Sequence, residues 1–581
     1  MLGLGFVTAA EVARCEPWRA FLAALAEVKR VTRLSLPHSA TSEASTAENA
    51  LWVAAERLPQ FAAVFPNAHL SPPIAAPAEF ATRSWSLDEA LVEIVRGRLQ
   101  GLGPVTAGAL AGSMGLPVPD IERALIKLAA EGFAMSGSFT VGAGQAEWCD
   151  RALLARIHRY TVKRLRQEIE PVSGQDFMRF LCRWQHVIPS ERREGPDALA
   201  ALITQLEGFE APAAAWEADI LPARLDNYDF TWLDDLCLAG RAAWTRLTAP
   251  AKLTGRSVGP IRTTPVALVP RRSLPLWNRA VPAPAEPPVM SPPGRPKGEY
   301  RSAQREGPPV SPRALRVIEH LQGHGACFYD EIVDATGLLR TQVEDALAEL
   351  VALGLVHSDS FAGLRALLTP SDRRKPLGAG PGSVKRRRRT ALFGIEDAGR
   401  WALVRRPAPS GSGGATYRPD YEIVDHIADT LLRRYGVVFW RLLEREAAWL
   451  PPWRELLRVL RRLEARGEIR GGRFVAGISG EQFALPEAVD LLRETRRAPA
   501  SPAWISLSAA DPLNLIGNLV PGPKVPAVTN NRVLYRNGIP VAALVAGDTH
   551  WIADLEPRER AEAESALVKR LTGSPLLAYL R

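Results

Sequence analysis

The sequence predicts a mainly α chain with β structure, in which tandem winged-helix modules are followed by a small C-terminal β-barrel. One observation is a repeated helix–glycine–strand pattern. Gly132, Gly354 and Gly467 each stand seven residues before an aromatic, namely Phe139, Phe361 and Phe474. Apolar residues occur eleven, seven and four positions before each glycine: Ile121, Leu125 and Leu128; Val343, Leu347 and Leu350; Leu456, Leu460 and Leu463. That spacing is one buried helix face, and its recurrence indicates copies of one module. Leu233, Leu236, Gly240 and Leu247 form a partial further copy. A second observation is the stretch Pro451–Gly477, where leucines fill one helix face and Arg454, Arg458, Arg461 and Arg462 gather on the opposite one. The third is a change of texture after Ala500, where short apolar runs alternate with turn residues.

Composition bounds the rest. With 581 residues, 46% hydrophobic and 23% charged, the chain needs several globular cores and is not a disordered polyelectrolyte. Its net charge of +9 makes a polyanion, nucleic acid first, a natural partner. Five scattered cysteines predict neither a disulfide framework nor a thiolate metal site, and fit a reducing cytoplasm. No membrane span is expected, and the start Met1–Ala10 lacks the basic region of a signal peptide. The phosphate loop G-x-x-x-x-G-K-[ST] is absent from the sequence.

In chain order, residues 1–84 read as an N-terminal helical segment, with helices over Trp18–Lys29 and Ala47–Phe61. Residues 85–145 read as a winged helix: Ser86 caps a first helix, and Pro119–Glu131 is the third, with a mixed polar face. Residues 150–211 form a winged-helix-like helical module. Its first helix carries Arg156, Arg159 and Lys163, which either touch phosphates or form a solvated face. Residues 212–276 read as a winged helix, and 277–308 as a Pro-rich linker.

A winged helix at 309–368 carries Glu344, Asp345 and Glu349 on its third helix; these repel phosphates and suit an architectural copy. His320, His324 and Cys327 lack a fourth ligand, so no metal site is expected. A basic, Gly/Ser-rich linker spans 369–418, where Arg386 and Arg387 sit in a run that adds salt-sensitive phosphate affinity. Residues 419–499 form a winged helix with a basic recognition helix. Arg454, Arg458, Arg461 and Arg462 lie on it, and Arg470-Gly471-Gly472-Arg473 reads as a cationic hairpin tip. Trp440, Trp449 and Trp453 serve either base stacking or the core. Residues 500–581 read as a barrel closed by a helix over Pro557–Leu571, with a hairpin turn at Asn537-Gly538.

Several longer strings carry a family resemblance: Ala155-Arg156-Ile157-His158-Arg159-Tyr160-Thr161, Glu168-Ile169-Glu170-Pro171-Val172, Phe177-Met178-Arg179-Phe180-Leu181, Trp184-Gln185-His186-Val187, Ile220-Leu221-Pro222-Ala223-Arg224 and Gly480-Glu481-Gln482-Phe483-Ala484. With the Trp453–Val475 stretch, they resemble the C-terminal region of Lhr, the bacterial large helicase-related proteins. The resemblance implies an ATP-driven 3′-to-5′ DNA helicase of DNA repair whose motor occupies the N-terminal half. No ATPase is then expected in this chain: ATP and Mg belong to the missing motor, and no cofactor is expected here. Partners implied are single-stranded or duplex DNA, the helicase motor domain, and further copies of the chain as a homo-oligomer.

The layout is also similar to winged-helix DNA glycosylases, and Lhr C-terminal regions are linked with uracil excision. Those glycosylases use a Gln-x-Gln or Gln-x-Asp element that has no counterpart here; Gln482 stands alone. In Asp511-Pro512-Leu513-Asn514-Leu515-Ile516-Gly517, Leu515 and Ile516 replace the family's Pro-Tyr pair. Cleaving an N-glycosidic bond requires a pocket for the flipped base and a carboxylate. Asp511, Asp548 and Asp554 are the catalytic candidates, each also readable as a turn or cap residue. Three functions are thus open: a DNA-binding and oligomerisation region of a helicase, a DNA glycosylase, or a structural scaffold.

Overall fold

The computed structural model describes residues 1–35, 50–140, 142, 144–167, 169–248, 261–281, 310–368, 394–405 and 420–568. Arg386 and Arg387 lie outside the described residues, as does most of the Pro-rich linker. The chain divides into two compact units, 1–165 and 166–581. Among the described residues, no helix is long and apolar enough to cross a membrane.

In the first unit, strands Phe6–Thr8, Ala50–Ala54, Val31–Ser35 and His69–Ser71 lie side by side in that order as an antiparallel sheet. The helix expected over Ala47–Phe61 is therefore replaced by strand Ala50–Ala54 and a later helix, Leu58–Val64. The run Ala50-Leu51-Trp52-Val53-Ala54 is apolar throughout, so it suits a doubly covered strand as well as a helix turn.

Helix Leu87–Gly101 follows, opened by the reciprocal capping of Ser86 and Glu89. Helices Ala107–Met114 and Val118–Ala130 complete a three-helix set, and Ile121, Leu125 and Leu128 are buried in it. The next helix, Arg151–Gln167, buries no residue.

Sheet topology reproduces the repeat. In each of four three-stranded sheets the last strand lies between the first two. Their strand sets are Val105–Thr106, Ala134–Gly137 and Glu147–Asp150; Glu210–Pro212, Ala242–Thr245 and Pro265–Pro270; Cys327–Phe328, Val356–Ser358 and Arg400–Leu403; Val437–Val438, Arg470–Gly472 and Gln482–Ala484. This is the small sheet and wing of a winged helix. The shared aromatic is used differently each time. Phe474 is buried beside its wing, Phe361 is buried at the start of helix Phe361–Leu368, and Phe139 is half-exposed.

In the second unit one continuous core draws on residues 172–281, 423–492 and 505–543. Among the described residues, the C-terminal strands Trp504–Ser508, Arg532–Arg536, Ile539–Val545 and Asp548–Trp551 pair only with their sequence neighbours. The predicted barrel is thus an open four-stranded sheet. Its faces explain why closure is unnecessary. Ile505, Leu507, Val533 and Tyr535 point into the main core, while Ala563 and Leu567 of helix Pro557–Val568 cover Leu534 and Ala542 on the other side. The hairpin at Asn537-Gly538 is as expected, with both residues at positive φ, +51° and +78°.

Candidate nucleic-acid interface

Helix Trp453–Ala465 buries Leu456, Val459 and Leu460 in the main core. The arginines of its outer face therefore point to solvent, with side chains of Arg454, Arg458, Arg461 and Arg462 exposed by 81, 69, 59 and 40%. Each nevertheless has a carboxylate beside it. Arg454 and Arg458 lie 3.3 and 2.9 Å from Glu455, Arg461 lies 2.6 Å from Glu481, and Arg462 pairs with Asp425. Periodicity alone could not show the last two pairings, because Glu481 and Asp425 come from other elements.

The stretch Arg470-Gly471-Gly472-Arg473 is not a hairpin tip. Arg470–Gly472 is a strand in register with Gln482–Ala484, and the turn of the wing lies beyond it, near Gly477. The glycines answer to close packing instead. The N–H of Gly471 donates to Glu464 Oε1 at 3.1 Å, and a Cβ there would collide with that carboxylate. A Cβ on Gly472 would collide with Ile169. Arg470 and Arg473 are exposed, and neither forms an ion pair among the described residues.

Gln482, solitary in sequence, is the clamp of the wing. Its Oε1 accepts from the N–H groups of Phe474 and Val475 at 2.9 and 2.8 Å, and its Nε2 donates to Val475 O at 3.0 Å. Arg166, at the end of the cationic helix, joins the same module. Its Nε donates to Glu464 at 2.7 Å, and it shares Glu481 with Arg461. Arg156, Arg159 and Lys163 are exposed on that helix and form no ion pair among the described residues.

The tryptophans separate by environment. Trp449 donates to Thr248 Oγ1 at 3.2 Å and stands edge-on to Trp277, so it belongs to the interior. Trp453 is half-buried against the main core. Trp440 is exposed and donates to Ser479 O at 3.0 Å, beside the wing.

The three carboxylates proposed for catalysis do not assemble. Asp511 is 1% exposed, and Arg224 grips it with Nη1–Oδ2 and Nη2–Oδ1 distances of 2.7 and 2.9 Å. Its Oδ1 also accepts from the N–H of Leu513 at 2.9 Å. Asp511 is thus an occupied structural acceptor, whereas Asp548 and Asp554 are exposed to solvent. No cluster of three or more metal-ligating side chains occurs among the described residues.

Sequence reasoning missed the buried charges that hold the second unit together. Residues 217–224 send Glu217 to Arg365, Asp219 to Arg532 and Arg224 to Asp511, at 2.8, 2.8 and 2.7 Å. The available signal was a set of charges inside otherwise apolar strings, such as Arg224 after Ile220-Leu221-Pro222-Ala223.

Residues 172–271 and 418–504 match two family models described as "Large helicase-related protein, winged-helix domain", for the third and fourth of these domains. The chain carries an Lhr C-terminal-type region. Among curated relatives, the "Lhr helicase/ probable uracil glycosylase" of Mycolicibacterium smegmatis is 28% identical over 498 residues, which is 82% of this chain and 29% of the relative. The "Lhr helicase/uracil glycosylase" of Escherichia coli K12 is 28% identical over 464 residues, or 73% of this chain and 26% of the relative. This chain therefore matches less than a third of the length of either Lhr relative. Among solved structures, the Streptomyces sahachiroi DNA glycosylase AlkZ aligns with a TM-score of 0.36 at 13% identity, covering 68% of this chain and 96% of that one. The arginine helix falls within the second Lhr match, and Arg224 within the first.

Proposed function

We propose that this chain is the DNA-binding and oligomerisation region of an Lhr-type ATP-dependent 3′-to-5′ repair helicase. ATP and Mg would act on a motor domain that is its partner, and the setting would be the cytoplasm. The observation that carries the DNA reading is the pairing of an exposed arginine helix with a wing whose Arg470 and Arg473 have no carboxylate partner among the described residues. Ion pairs open to solvent, such as Arg461 with Glu481, contribute about 0–1 kcal/mol each, so phosphates can displace Glu481 from that arginine. Arg156, Arg159, Lys163, Arg386 and Arg387 would be separate, further phosphate contacts, and Trp440 or Trp453 would meet bases. The test is anisotropy of labelled single-stranded and duplex DNA over a salt series. Binding that steepens with falling salt supports the reading, and its absence at low salt sinks it. Light scattering on the same sample tests self-association, where a strictly monomeric mass removes that part.

A second reading, base excision, rests on the uracil glycosylase named for both relatives. Asp511 is held in an ion pair, so an excision centre built on it would first have to release Arg224. Uracil-containing strands treated with alkali after incubation without nucleotide decide it: scission confined to uracil sites supports excision, and intact strands reject it.

A further inference from the structure

Between the two Lhr-matched segments lies a cleft of about 410 Å³ that the helix-and-wing reading leaves unused. Such a volume falls in the range of ligand pockets, roughly 300–1,000 Å³, and has room for a single nucleotide. Its walls are rich in cations: Arg183, Arg193 and Arg224 from the first segment, and Arg433 from the second. Glu487 is the carboxylate on that lining. Arg183 is held by Glu191 and Glu494 at 3.2 and 2.9 Å, and Arg433 by Asp429 and Glu207 at 2.9 and 3.8 Å. Arg193 is exposed and forms no ion pair among the described residues. The Nε–H groups of Arg224 and Arg433 are buried with no acceptor among the described residues.

Two further features belong to this wall. His186 adopts a left-handed backbone at φ +55°, a strained state for a non-glycine residue. Burial, with Arg193 and Arg224 nearby, pulls its imidazole down to about 4. Around neutral pH it is therefore an uncharged, flat side chain in a positive field. Ala201, Leu202 and Leu491 supply an apolar surface beside the cations. Guanidinium groups next to an apolar surface match a phosphate joined to a planar ring.

We propose that this cleft holds one nucleotide, its phosphate against Arg193 and Arg433 and its base over Ala201, Leu202 and Leu491. The proposal rests on the DNA-binding reading and adds a site distinct from the arginine helix. The same chemistry suits a nucleotide within a strand and a free nucleoside monophosphate.

The test uses the full chain with a labelled oligothymidylate of about ten nucleotides, in the range of single-strand site sizes, and with thymidine monophosphate by calorimetry. Arg193→Glu reverses an exposed charge, and Ala201→Trp fills the cleft from an exposed position without changing charge. Both variants are expected to weaken oligonucleotide binding roughly tenfold, the scale of one charged hydrogen bond or one stacked base. Variant-sensitive uptake of the monophosphate assigns the cleft to single nucleotides. Loss of oligonucleotide binding alone assigns it to a nucleotide within a strand. Wild-type affinity in both variants overturns the cleft while leaving DNA binding intact. An effect of Arg193→Glu without one of Ala201→Trp also overturns it, leaving a surface phosphate contact. A wild-type chain that binds neither probe removes both readings.

Discussion

Arg224 and Asp511 are joined by two parallel hydrogen bonds of 2.7 and 2.9 Å, with both side chains 1% exposed. The pair ties residues of the first Lhr-matched segment to the C-terminal sheet region, 287 positions later in the chain. Arg224 also donates to Gln185 Oε1 at 2.6 Å and to Ile220 O at 3.1 Å, so the guanidinium has little freedom to turn.

Removing one partner leaves a buried charge without compensation, which costs about 3–5 kcal/mol. Asp511→Asn is therefore expected to lower the urea midpoint of the second unit by a corresponding amount, read by tryptophan fluorescence. DNA affinity of the folded fraction should stay at the wild-type level. A midpoint within error of wild type would refute the structural role of the pair.

Glu207 predicts an acid-sensitive joint. Burial pushes its carboxyl up, but hydrogen bonds from His426 and Trp277, at 2.9 and 2.8 Å, outweigh this and hold it below the ordinary glutamate value. A carboxyl depressed in the folded state contributes stability above its unfolded pKa and loses it as pH falls through the folded one. Stability should thus decline on acidification from about pH 5 downward, and the decline should be shallower in Glu207→Gln. Parallel pH profiles for the two proteins would remove Glu207 from the account.

The wing and the helix should differ in their contribution to DNA binding. Arg470 and Arg473 need not leave a carboxylate, whereas Arg458 and Arg461 must first release Glu455 and Glu481. Arg470→Ala with Arg473→Ala is expected to weaken binding about tenfold at low salt and to lower the salt slope by about one to two. The pair Arg458→Ala and Arg461→Ala should have a smaller effect. The reverse order in salt titrations would show that the helix, not the wing, carries the phosphates.

The cysteines give a check on the interior. Burial pushes the Cys182 and Cys237 thiols up to about 12, with Asp511 and Asp234 adding to it, and Cys149 and Cys327 are also buried and raised. Cys15 is partly exposed. Since the thiolate is the reacting form, iodoacetamide at about pH 8 should label one site natively and all five cysteines in denaturant. Rapid native labelling of Cys182 or Cys237 would contradict the packing described.

Much of the fold was legible because winged helices are local objects. A helix face needs only apolar residues at the right spacing, and Ile121, Leu125 and Leu128 or Leu456 and Leu460 are buried as that spacing requires. Local signals failed where one sequence suits two structures. Ala50–Ala54 is apolar at every position, and Gly471-Gly472 serves close packing where a turn was expected. The C-terminal strands were visible, but whether their sheet closes depends on what covers its faces, and those partners lie far away in sequence.

The site divides along the same line. Sequence by itself determined that a basic helix face exists and that winged-helix units recur, since both follow from periodicity within about a dozen residues. Tertiary structure decided which charges remain available. It placed Glu481 against Arg461, left Arg470 and Arg473 without an ion pair among the described residues, and took Asp511 out of reach by pairing it with Arg224. The reason is physical: helical and strand periodicity is set by neighbouring backbone geometry, whereas the partner of a charge is whatever side chain packing brings within a few ångströms.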